Sequence, residues 1–364
     1  MTAVKNVLAT RWGIIGIGVF IGIFAALLQK WGNPANMGIC VACFDRDIAG
    51  ALGLHRAAVV QYMRPEIIGF VLGSLVAAFL FKEFRPRAGS ASFVRFILGV
   101  FAMIGALVFL GCPWRALLRL AGGDGNAIFG TAGLIFGIWA GTLFLKGGYN
   151  LGRSSTTYAS AGLLMPLMML GFLVLMLVFP QIPDKPQSGV LFYSVKGPGS
   201  MHAPLIVSLA VGLAIGFLAQ RSRFCTMGAF RDLILFKQAH LFTGLLALLA
   251  AAFVANLVLG QFNPGFAKQP VSHTMGLWNF LGMTVAGLAF ALAGGCPGRQ
   301  LFMAGEGDGD AAVFVIGMIV GAGISHNFGM ASSPDGIGPH GVAAVAVGLA
   351  VCLFIGFTMR HKTA

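Results

Sequence analysis

Two stretches of this chain are versions of each other: G-C-P-W-R-A-L-L-R-L-A-G-G-D-G, from Gly111 to Gly125, and G-C-P-G-R-Q-L-F-M-A-G-E-G-D-G, from Gly295 to Gly309. Each places Cys then Pro after a long apolar run, with Arg three residues and Asp twelve residues beyond the Cys. A thiol, a guanidinium and a helix-breaking proline at membrane depth have a use where something polar passes. The two stretches therefore read as the lining of a conduction site.

The apolar setting is general. Of the 364 residues, 57% are hydrophobic and 10% charged, with a mean hydropathy of +0.87. Soluble domains carry about 25% charged residues, so the composition predicts an all-α polytopic membrane protein. The net charge of +13 reads as an excess of basic cytoplasmic loops rather than nucleic-acid binding. It is also compatible with an anionic substrate. The six cysteines (40, 43, 112, 225, 296, 352) follow neither zinc spacing nor a secreted disulfide framework. No metal or cofactor motif stands out, no P-loop is present, and the chain does not read as an enzyme.

A spanning helix needs roughly 20 apolar residues. About ten candidates lie at 13–29, 65–81, 94–111, 126–145, 160–180, 203–219, 240–260, 276–295, 311–329 and 341–359. The first has a counterpart at 203–219, so it reads as a retained helix rather than a signal peptide. Four shorter, Gly-rich segments lie between them: Met37–Gly53, Cys112–Gly123, Phe224–Lys237 and Cys296–Gly305. Too short to cross and too apolar for ordinary loops, they are expected to be re-entrant half-helices, tolerated where protein covers them or a cavity is lined.

Internal repetition organises the whole chain. Ile39-Cys40-Val41, Arg46-Asp47 and His55 match Phe224-Cys225-Thr226, Arg231-Asp232 and His240 at a shift of 185. Gly111-Cys112-Pro113, Arg115 and Asp124-Gly125 match Gly295-Cys296-Pro297, Arg299 and Asp308-Gly309 at a shift of 184. The expected units are 1–180 and 203–364, joined by a Pro-rich linker, 181–202. Five full spans per unit, an odd number, turn the second unit upside down. The charges agree: Lys5 and Arg11, then Lys82, Arg85, Arg87 and Arg95, Lys146 and Arg153, Arg221 and Arg223, and Arg360 and Lys362 fall on one side. By the excess of basic residues on the inner side, that side and both termini are cytoplasmic. Inverted repeats place the site near the midplane, where discontinuous helices meet.

Within the site, Cys112 and Cys296 come first. Each sits where a half-helix begins, with Pro in its first turn and free N–H groups that attract anions. Cys40 and Cys225 are repeat mates. Cys43 has none, because Gly228 takes its place. Cys352 reads as packing. Arg46 and Arg231, each followed by Asp, are either anion-attracting groups or halves of structural ion pairs; Arg115 and Arg299 face the same choice. Asp124 and Asp308 read as helix caps. The small residues Gly133, Gly137 and Gly141, and Gly317, Gly321 and Ser325, read as close helix packing.

The motifs G-C-P-W-R with G-G-D-G, R-F-C-T-M-G-A-F-R-D, and G-G-C-P-G-R-Q resemble the YeeE/YedE sulphur-transport family of bacterial inner membranes. The double-Cys segment M-G-I-C-V-A-C-F-D-R-D looks most like the YedE branch of selenium transporters. The resemblance implies uptake of a small sulphur or selenium anion, thiosulfate-like, passed along thiols by transient hydrogen bonds. Cys40, Cys112 and Cys296 would be the relay, with Cys225 an additional thiol and the order of Cys43 open. It also implies a TusA-like sulphurtransferase partner. Two other readings remain: a membrane thiol redox relay using Cys40 and Cys43, and a channel for a neutral solute.

Overall fold

A computed structural model describes residues 7–360. Lys5 and Lys362, two of the charges used to orient the chain, lie outside the described residues, as do the extreme termini. The helices are α1 (Arg11–Lys30), α2 (Val41–Ala51), α3 (Pro65–Leu80), α4 (Ser92–Phe109), α5 (Pro113–Ala121), α6 (Asn126–Lys146), α7 (Ala159–Val178), α8 (Leu205–Ser222), α9 (Thr226–Phe236), α10 (His240–Val258), α11 (Gly276–Ala293), α12 (Pro297–Gly305), α13 (Gly309–Asn327) and α14 (Gly341–Thr358). Two short antiparallel pairs, Arg87–Ala88 with Ser155–Thr156 and Gln187–Ser188 with Leu191–Phe192, and a 3-10 turn at Pro198–Ser200 accompany them.

The all-helical membrane class is as expected. Among the described residues nine helical stretches are long and apolar enough to cross a membrane, and α3, at 16 residues, is shorter. Three of the nine run through a break into a half-helix: α4 into α5, α8 into α9, and α11 into α12. The four segments expected to be half-helices are the short helices α2, α5, α9 and α12. Leu164, Leu167, Leu170, Val174 and Leu177 of α7 are exposed. In water they would form an aggregating patch; in a bilayer they are the lipid face.

Helices pack mainly across the two halves of the sequence. α1 lies on α10 and α3 on α8; α6 lies on α11 and α4 on α13; α4 and α11 also meet each other. The large central core draws on both halves. Glycines set these approaches. Gly69 and Gly216 bring α3 and α8 together, and Gly133, Gly137, Gly317 and Gly321 face partner backbones at α6–α11 and α4–α13. A side chain at Gly216 would strike the backbone of Phe70, whereas Gly171 on α7 has open space around it. Gly216→Leu is therefore expected to cost about 1–3 kcal/mol, the usual penalty of overpacking. The midpoint of thermal unfolding in detergent should fall, while Gly171→Leu leaves it unchanged. Equal midpoints would show that the α3–α8 approach is not tight.

The breaks have local causes. α4 ends at Leu110 and α11 at Gly294, both left-handed, with φ of 64° and 84°. The glycine takes this conformation freely, but a leucine there costs on the order of 1–2 kcal/mol. Arg115 holds it in place by donating from Nη1 to the Leu110 carbonyl. Gly-Cys-Pro then restarts the chain, with Pro113 and Pro297 in the first turn of α5 and α12. There a proline has no hydrogen bond to lose.

Candidate functional site: four cysteine-capped half-helices

The four half-helices begin in the same way. Cys40, Cys112, Cys225 and Cys296 are the N-cap residues of α2, α5, α9 and α12. The Sγ of Cys40 accepts the Cys43 amide at 3.3 Å, and that of Cys225 accepts the Gly228 amide at 3.2 Å. The other ends of the half-helices point away from the centre. The Gly122 carbonyl, past α5, accepts the Asn263 amide, and the Leu54 carbonyl, past α2, accepts Asn327 Nδ2. The Glu306 carbonyl, past α12, meets the Arg85 amide among the other set of loops. The cysteine ends thus converge, and every one of these thiols is buried.

The thiols fall into two groups. Cys225 Sγ lies 3.7 Å from Cys296 Sγ. Each also faces a backbone amide of the partner half-helix: Cys225 that of Cys296, and Cys296 that of Thr226. In the first half Cys40 and Cys112 contact each other through their side chains, and Cys112 faces the Ala42 amide. Cys43 joins this group, with Arg115 Nη1 at 3.7 Å from its Sγ. Cys352 is buried in α14, away from both groups.

The arginines are held. Arg115 is fully buried, and its guanidinium donates to the carbonyls of Asn36, Leu110, Pro270 and Val271. It clamps α5 to the loop before α11 and keeps a positive charge beside Cys43. Arg46 binds Asp47 at 2.7 Å, and Arg64 binds the other carboxylate oxygen at 2.7 Å. Arg231 pairs with Asp232 at 2.8 Å and is one-third exposed. Arg299 reaches Glu306 at 3.1 Å, within a cluster that includes Arg223, Glu83 and Arg221. Asp308 caps α13 by accepting the Ala311 amide at 3.0 Å, and Asp124 accepts the Asn126 amide at 2.9 Å. Asp308 is thus the N-cap of α13, as expected; Asp124 is not, because the N-cap of α6 is Gly125, which makes no side-chain cap bond.

Other residues carry weight that the sequence reading missed. Arg64 completes the Arg46–Asp47 pair, and Arg119 holds Asp124 at 2.7 Å. Both oxygens of the buried Asp45 lack a hydrogen-bond partner. Trp114 stands between the two thiol groups. It follows Cys112-Pro113 in the chain, yet its ring meets Phe224, the neighbour of Cys225, at 5.9 Å and Phe302 of α12 at 6.1 Å. Its signal in the sequence is asymmetry, because Gly298 occupies the matching place in the other stretch.

A cavity of about 250 Å³ is lined by Arg46, Leu110, Pro198, Val271, His326 and Ser332. The Pro-rich linker, the loop after α10 and the loop after α13 thus meet at this cavity.

Fold and site together define a multi-pass helical membrane protein with buried thiols at the meeting point of its half-helices. Residues 221–358 match the family model described as Sulphur transport. That match, over the second half of the chain, agrees with the sulphur-transport resemblance read from the motifs and does not single out the YedE branch. It is similar to the thiosulfate transporter TsuA of Escherichia coli (strain K12), 33% identical over 107 residues, 29% of this chain and 30% of that protein. The thiosulfate transporter TsuA of Spirochaeta thermophila is 35% identical over 99 residues, 27% of this chain and 29% of that protein. The matches thus take in less than a third of the length of these relatives.

Proposed function

We propose that this protein carries a small sulphur-containing anion across the bacterial inner membrane, handing it along buried thiols. The observation that carries the reading is the convergence of four half-helix N-termini, each capped by a cysteine. Each helix N-terminus offers roughly half a positive elementary charge and free N–H groups. Sulphur is soft and polarizable, so a thiol suits the terminal sulphur or selenium of a thiosulfate-like ion better than water or a carboxylate does. Contacts at each step are weak, as conduction requires.

The proposed path starts at the cavity beside Arg46. It passes Cys43, Cys40 and Cys112, crosses at Trp114, and leaves by Cys296 and Cys225 toward Arg299 and Arg231. In this reading residues 1–180 and 203–364 are inverted copies joined by 181–202. The exchange of partners supports it: α1 on α10 is the counterpart of α8 on α3, and α6 on α11 that of α13 on α4. Both termini would be cytoplasmic, and a TusA-like sulphurtransferase would receive the anion there. Thiosulfate is the first substrate to test, in keeping with the relatives; a selenium counterpart is the second.

The test is uptake into proteoliposomes. Purified protein is expected to admit labelled thiosulfate above empty vesicles, with unlabelled thiosulfate competing and a neutral solute of similar size failing to compete. Uptake no higher than in empty vesicles, for thiosulfate and for selenium oxyanions alike, would overturn the reading. Competition by the neutral solute would favour a neutral-solute channel instead.

A further inference from the structure

Among the described residues, two buried hydrogen-bond donors beside the second thiol group have no partner. The indole Nε1 of Trp114, a residue 2% exposed, binds nothing, and neither does the hydroxyl of the fully buried Thr226. Buried donors are normally satisfied, and an orphan asks what completes it.

Both residues lie beside the cysteine ends of α9 and α12. Thr226 is the first residue of α9, directly after Cys225, and its amide faces Cys296. The Trp114 ring lies against the start of α12. A Cβ added at Gly298 would stand 3.4 Å from Cζ2 and 3.6 Å from Cε2, the ring carbon bonded to Nε1. Gly298 is two residues past Cys296. Phe70, Phe224 and Phe302 wall the ring, so the indole is held and its N–H is given no protein acceptor.

The donors are also the unshared part of the two thiol groups. Cysteines cap all four half-helices, but Trp114 corresponds to Gly298, and Thr226 corresponds to Val41. The second group therefore has unpartnered donors, whereas Arg115, beside Cys43 in the first, is engaged by backbone carbonyls.

We propose that Trp114 Nε1–H and Thr226 Oγ1–H, with the thiols of Cys225 and Cys296, form a binding site for a two-ended oxyanion. Its soft terminal sulphur or selenium lies on the thiols and its oxygens accept from the indole and the hydroxyl. This rests on the transport reading above and narrows its substrate class. Sulfide has the soft end alone and sulfate the oxygens alone, so neither fills the site. A hydrogen bond to a charged acceptor is stronger than one to a neutral acceptor, so losing the indole N–H weakens the oxygen end directly.

The experiment compares Trp114→Phe, Thr226→Val and the unaltered full chain, in detergent and in proteoliposomes. Phenylalanine keeps most of the ring packing and removes only the donor edge. For thiosulfate, Trp114→Phe is expected to raise KM about tenfold, and Thr226→Val severalfold, while the maximal rate and the thermal midpoint stay near those of the unaltered protein. Sulfate should compete poorly with the unaltered protein, and Trp114→Phe should keep that preference, because both ions lose the same oxygen contact while the thiols still favour the soft end. Thiosulfate should change the tryptophan fluorescence of the unaltered protein, and Trp114→Phe should lose that change. An unchanged KM in Trp114→Phe, with or without a lower thermal midpoint, makes the indole a packing group and overturns the site while transport stands. Thiosulfate binding, with its fluorescence change lost in Trp114→Phe, but no uptake by the unaltered protein would uphold the site and sink the transport reading. No binding and no uptake would sink both.

Discussion

Cys296→Ala is expected to lower thiosulfate uptake by more than about tenfold while the protein still inserts and runs as a single species in detergent. A factor of ten corresponds to about 1.4 kcal/mol, a small demand on a thiol that caps a half-helix and lies 3.7 Å from its partner sulphur. Alanine removes the soft contact and leaves Cys225 without that partner. The helix itself should survive, because Pro297 still opens its first turn and Cys296 caps it through no side-chain bond. Cys112→Ala should behave alike, since Cys112 also caps α5 without a side-chain hydrogen bond to its own helix. Cys352→Ala should leave uptake unchanged and serves as the control. Normal uptake by Cys112→Ala and Cys296→Ala would remove the thiols from the path.

Asp47→Ala is expected to be the most destabilising single change, and its effect falls on folding. Asp47 is fully buried and binds two guanidiniums, Arg46 and Arg64, which are themselves at most 2% exposed. Removing it leaves two buried cations facing each other. Breaking a buried ion pair from one side costs about 3–5 kcal/mol. Arg64 would keep the carbonyls of Pro198 and Met201, which neutralise no charge. The thermal midpoint should fall sharply and yield in the membrane should drop. Asp47→Leu combined with Arg46→Met and Arg64→Met should recover much of the loss, because apolar groups of similar volume often replace a buried ionic cluster at little cost. A midpoint unchanged by Asp47→Ala would mean that water or lipid headgroups reach Arg46 and Arg64.

These expectations draw on the sequence to different degrees. The class of the protein was legible because the bilayer makes one demand along the whole chain: about 20 apolar residues per crossing. The half-helices were legible because Gly-Cys-Pro interrupts that pattern, and an interruption is local. The capping role of Asp308 was legible for the same reason, since a cap and the amide it serves are three residues apart. Arg115 and Arg46 were not. Whether an arginine attracts an ion or clamps a loop depends on acceptors that can be 155 residues away, as with the Pro270 carbonyl that Arg115 reaches.

Taken alone, the sequence determined which residues interrupt the membrane helices and which of them recur. Interruption and recurrence are properties of spacing along one dimension. Only the tertiary structure decided how the thiols group, Cys40 with Cys112 and Cys225 with Cys296, and that the ring of Trp114 stands between the groups. Those contacts form because half-helix ends more than 70 residues apart in the chain meet in the protein interior. The meeting depends on how closely the glycine faces of α3, α6, α8 and α13 let the crossing helices approach, a quantity that has no expression in residue spacing.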